Sequence, residues 1–149
     1  MVALVVAGVP AGQTLVVADA DTGDRLLTIP VDDGTEVTLS YTHSVEKTPV
    51  EEVYVVDGTA LEQTRIEFHS YGAGLPANAA VERTDAGSFV AYPNDTFQRL
   101  AIAPGTVAGH VLTVGEDEYD LYSLSGGTSV IVSVEHDRPT RFIRLLDHE

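Results

Sequence analysis

The sequence has no cysteine, no tryptophan and a single lysine, Lys47. Without cysteine there is no disulfide, no thiolate metal site and no cysteine nucleophile. A disulfide-free chain fits either side of a membrane. With lysine nearly gone, 8 bases face 23 acids and the formal charge is −15. Such a surface repels nucleic acid and anionic lipid, which argues against both as partners. An acid excess with so little lysine points to a halophilic protein working in concentrated salt. There the Debye length falls to ~3 Å at 1 M and self-repulsion is screened. An ordinary acidic mesophile protein is the alternative.

Long hydrophobic runs are scarce too. The chain opens on MVALVVAGVPAGQTLVV, apolar or glycine over residues 1–9 until Pro10 ends the run. That falls well short of the ~20 residues that span a bilayer. It also lacks the basic n-region of a signal peptide. Two readings fit. Residues 1–13 are the remnant of a longer hydrophobic segment, and so a membrane tether, or they hold a buried first strand. Sustained helical periodicity, internal repeats and linkers are missing as well.

What remains is a chain of 149 residues, 44% apolar. That is enough for one folded domain, taken as residues 14–149. Its dominant period is two. In TEVTLSYTHSV, Val37, Leu39, Tyr41, His43 and Val45 share one face, and Glu36, Thr38, Ser40, Thr42 and Ser44 the other. LEQTRIEFHS places Ile66, Phe68 and Ser70 opposite Arg65, Glu67 and His69. Asp57-Gly58 marks a hairpin between two extended runs. GSFVAYP, FQRLAIA, HVLTVG, YDLYSL, TSVIVSVEH and TRFIRLL follow as strand candidates, separated by glycine and proline turns. The pattern predicts an all-β, antiparallel sandwich or barrel of about ten short strands.

Most candidate motifs have a plain structural reading. DADTGDRLL resembles a calcium loop, but glycine stands fifth where the EF-hand needs it sixth. A hairpin turn with Thr22-Gly23 at its tip is the better reading. GEDEYD reads as a solvated acidic loop. Asn94-Asp95-Thr96 fits the N-glycosylation pattern, which matters only in an exported protein. A serine hydrolase is not expected, because adjacent His43 and Ser44 would point to opposite faces of a strand. No nucleophile elbow of the G-x-S-x-G type is present.

The informative stretch is YTHSVEKTPVEEVYVV, followed by FHSYGAGLP. If the strand runs on, His43 points inward beside Tyr41, and Ser70 joins it. Glu46, Glu51 and Glu52 lie close enough in sequence to turn back toward His43. A buried imidazole needs a partner, and a carboxylate is a strong one. The cluster is then either a structural corner or a small pocket edged by the glycine loop. One histidine with carboxylates is a poor zinc set, so no metal and no cofactor are expected.

These residues resemble the domain-of-unknown-function family 1850. The matching positions are Tyr41, His43, Ser44, Glu46, Lys47, Glu51, Glu52 and Tyr54, then Gly72, Gly74 and Pro76, with Ser70 beside them. Ser70-Tyr71-Gly72 departs slightly from the family's small-residue loop. The strong match covers residues 41–76. The resemblance implies a small extracytoplasmic domain, at the cell surface or anchored to the membrane. It also implies a setting beside tripartite ATP-independent periplasmic (TRAP) transporters of the TAXI subclass, whose permease or solute-binding protein would be the partner. It carries no activity. The expectation is a non-enzymatic accessory protein contacting its partner through the motif; the alternative is a small-ligand-binding domain with a His/Glu pocket.

Overall fold

The computed structural model describes residues 12–69 and 80–137. Expectations for residues 1–11, Ser70, Gly72, Gly74, Pro76 and the TRFIRLL run lie outside them.

Alternating apolar residues form strands that pair antiparallel throughout. In chain order these are β1 (Gln13–Asp19), β2 (Arg25–Val31), β3 (Glu36–Thr42), β4 (Pro49–Asp57), β5 (Ala60–Phe68) and β6 (Val81–Arg83). Then come β7 (Phe89–Ala91), β8 (Asp95–Phe97), β9 (Arg99–Ile102), β10 (Val111–Val114), β11 (Asp117–Asp120), helix α1 (Leu121–Ser125) and β12 (Val130–His136). They build two sheets. The smaller runs β2-β1-β12-β9; the larger runs β11-β10-β3-β4-β5-β7-β6, with β8 also on β5. The sheets do not close into a barrel, so the fold is an all-β sandwich.

The core lies where the inner faces meet. Leu15, Val17, Val130 and Val132 of the small sheet pack with Val37, Leu39, Val56, Leu61 and Leu112 of the large one. Each is buried through the period-2 alternation of its strand. A smaller cluster of Val50, Ile66, Phe68 and Ala91 sits under the far part of the large sheet, and Tyr41 packs against both clusters.

The turns follow the local chemistry. Asp57 pairs with Ala60 across β4 and β5, and Gly58 takes φ 61°, the left-handed backbone such a turn needs. DADTGD is a turn between β1 and β2. Asp19 Oδ1 accepts from the amides of both Asp21 (2.9 Å) and Thr22 (3.0 Å), so this one oxygen caps the turn.

Three expectations change. YDLYSL is not one strand: β11 ends at Asp120, whose carboxylate accepts from the Ser123 amide at 3.0 Å and starts α1. GEDEYD is not a loop: Val114 pairs with Asp117, so Gly115-Glu116 forms the turn and the other acids lie on β11. The inward face of β3 does not reach His43, because the strand stops at Thr42 and Val45 stands 77% exposed.

Candidate functional site

The β3–β4 hairpin carries the motif. His43 N donates to Thr48 O (2.8 Å), and Lys47 N donates to His43 O (2.9 Å). Lys47 takes φ 55°, closing the turn in a left-handed conformation that costs a residue with a Cβ about 1–2 kcal/mol. His43 Nδ1 accepts from the Glu46 amide at 3.3 Å, so the imidazole caps its own turn and its proton sits on Nε2. Ser44, Glu46 and Lys47 are exposed.

The three glutamates near His43 in sequence go to three different places. Glu46 stays at the hairpin tip. Glu51 and Glu52 are adjacent on β4, and a strand sends adjacent residues to opposite faces. Glu51 faces outward, directly opposite Glu67 on β5. Like charges so placed repel, and Arg65 relieves this by pairing with both, at 2.9 Å to Glu51 and 3.0 Å to Glu67. The Ser88 hydroxyl donates to Glu67 at 2.6 Å. That bond first, and Arg65 after it, hold the Glu67 carboxyl below its ordinary range. Replacing Arg65 with methionine is expected to cost about 1 kcal/mol in denaturant unfolding, as for a small exposed charge network. The loss should shrink in molar salt, since screening weakens the repulsion between the two glutamates.

Glu52 faces inward. Its carboxylate accepts from the hydroxyls of Tyr54 at 3.2 Å and Tyr41 at 3.5 Å. Gln63 Nε2 donates to the Tyr54 hydroxyl at 3.4 Å. Burial raises the Glu52 carboxyl above its ordinary range, and the two hydroxyls only partly oppose that. Burial and the neighbouring carboxylate push the Tyr41 phenol up to about 12, and the Tyr54 phenol is raised by the same causes. Tyr54 is only 4% exposed, so this motif residue belongs to the core.

His43 therefore does not share a pocket with Glu51 and Glu52. Two clefts flank Tyr41 instead. The first, about 410 Å³, is on the outer face and takes in Glu51, Glu67 and His69. His69 Nδ1 donates to Pro49 O there, at 3.2 Å. The second, about 500 Å³, lies between the β3–β4 hairpin and the loop joining β9 to β10. His43, Ser44, Thr106, Val107 and His110 line it, and Thr42 N ties that loop in through Ala108 O at 2.8 Å. Among the described residues no group of three metal-ligating side chains converges.

Sequence reasoning missed His110. Its ring stacks on Tyr41 with centroids 4.9 Å apart and planes 25° from parallel. Val111 pairs with Ser40 and Leu112 with Leu39, so one more step of that register sets His110 opposite Tyr41. Running HVLTV's alternation back one residue puts His110 on the inward face with Leu112, without saying which residue it meets.

The family described as Domain of unknown function (DUF1850) matches residues 37–121, more than half of the chain. The chain belongs to that family. The DUF1850 segment runs from β3 to the start of α1 and so contains both clefts and the hairpin. No curated protein and no solved structure matches the chain.

Proposed function

We propose that this DUF1850 protein is a non-enzymatic accessory module, held outside the cytoplasm, that docks on a TAXI-type TRAP transporter through its β3–β4 hairpin. The transporter setting and the compartment rest on the family resemblance. The presentation of the hairpin carries the docking. Ser44, Glu46 and Lys47 stand exposed around Val45, which is 77% exposed. Val107, on the loop across the second cleft, is 61% exposed. A turn spent only on fixing a corner has no need of an apolar side chain at its tip, whereas a contact surface with an apolar centre and polar rim does. Among the described residues no helix is long and apolar enough to cross a membrane.

The test is capture from solubilised membranes in high salt, with the wild type against Val45→Glu at matched melting temperature. Wild type should retain a transporter permease or solute-binding protein, and the variant should lose at least about tenfold, the roughly 1.4 kcal/mol that a central apolar contact supplies. Equal retention by the variant would remove the hairpin from the interface. Absence of any transporter component on wild type would sink the accessory reading itself. Ligand binding has its own support in the second cleft, with a lining other than the expected His/Glu pocket.

A further inference from the structure

The second cleft has an unusual lining for this chain. The protein carries 23 acidic residues and a charge of −15, yet among the described residues no aspartate, glutamate, lysine or arginine lines that cleft. One wall is the Tyr41–His110 stack, and small apolar residues and hydroxyls complete it.

Its two imidazoles are set alike. His43 Nδ1 is occupied as an acceptor by the Glu46 amide, which leaves Nε2–H as its free donor. His110 Nδ1 is buried and has no hydrogen-bond partner among the described residues. An orphaned lone pair is tolerated better than an orphaned N–H, so the His110 proton also belongs on Nε2. Burial lowers the pKa of His110, which keeps that ring uncharged. The described lining thus offers N–H and O–H donors but no fixed charge. A carboxylate entering it would shed water without meeting a cation, and a cation would meet no carboxylate. Either costs more than the neutral donors or ring faces return. An uncharged acceptor pays no such penalty, and a flat ring gains from lying against stacked aromatics.

We propose that the cleft between the β3–β4 hairpin and the β9–β10 loop binds an uncharged, flat ring compound whose carbonyl-type oxygen accepts from the imidazoles of His43 and His110. This does not depend on the transporter reading, and either can fail alone.

Benzamide, benzoate and benzamidinium share a ring and nearly a size but differ in charge. Each is titrated into the whole protein in molar salt, which screens the field of the chain, while backbone amide NMR signals are followed. Benzamide should shift Thr42, Ser44 and Ala108 and saturate. Benzoate and benzamidinium should bind at least about tenfold more weakly, roughly 1.4 kcal/mol. His110→Phe keeps a ring on Tyr41 but removes the nitrogens, and it should lose benzamide about tenfold with its melting temperature kept. If His110→Phe fails to fold, His43→Ala replaces it, with the same loss expected. The proposal is overturned if a charged probe binds as well as benzamide, if no probe saturates, or if the folded variant binds benzamide like wild type.

Discussion

Phe68→Ala is expected to cost about 3–5 kcal/mol in equilibrium unfolding, the range for emptying a buried aromatic site. Phe68 is fully buried at the end of β5 and stacks on Phe89, with centroids 5.6 Å apart. Its cluster is small. Among the described residues only Val50, Ile66 and Ala91 are buried with it, and Tyr41, Val81 and Phe89 pack at its edge. Few of the described side chains are placed to collapse into the gap, which puts the loss toward the upper part of that range. A domain of this size has roughly 5–15 kcal/mol in all, so the variant should be marginal. The effect should also reach the clefts. Tyr41 leans on this cluster from one side and on the main core from the other, and it walls both clefts. Amide signals of Thr42 and His110 should broaden or shift in the variant, while those of β1 and β12 stay in place. A loss below about 1 kcal/mol, the scale of a surface change, would mean that the far cluster is not the packed unit described here.

The sheets were legible in the sequence because burial on one face writes itself as alternation. Leu15 and Val17, Val37 and Leu39, Leu112 and Val114 are all buried as their spacing requires. The same rule misled at strand ends, where it has no means of stopping. It carried β3 through His43 to Val45, although the hairpin bonds made by His43 and Lys47 begin at that point. Applied strictly, it would have separated Glu51 from Glu52, since neighbours on a strand face opposite ways. Grouping the glutamates by nearness in sequence hid that. Helix α1 escaped notice because five residues are too few to show a 3.6-residue period. Only its caps announce it: Asp120 at one end, and Gly126 at φ 67° at the other. The Tyr41–His110 stack depends on which strands are neighbours. β10 joins β3 across a long stretch of chain, and no local pattern states that pairing.

Glu52→Gln is expected to make the protein more stable at pH 7, by about 1 kcal/mol, because a buried charge is exchanged for a neutral group that still accepts from the tyrosines. The gain should depend on pH with a definite sign. Burial raises the Glu52 carboxyl in the folded state above the ordinary 4.5, so the folded chain holds this proton to higher pH than the unfolded chain does. Its contribution to stability is therefore complete below the ordinary carboxylate value and is lost as pH rises through the raised one. Asp19 and Glu67 behave oppositely: their carboxyls are lowered, so their contributions fade as pH falls. Both remain in the variant, and subtracting the two pH profiles isolates Glu52. Urea unfolding at constant high salt should show wild type and Glu52→Gln converging near pH 4 and separating toward neutrality. A gap independent of pH, or a wild type that gains on the variant as pH rises, would refute the assignment. The result bears on the site because Glu52 holds the Tyr41 hydroxyl while the Tyr41 ring stacks on His110. A carboxylate buried at a cost to stability, on the hidden side of the residue that walls both clefts, is understandable if it serves to fix that ring where the clefts need it.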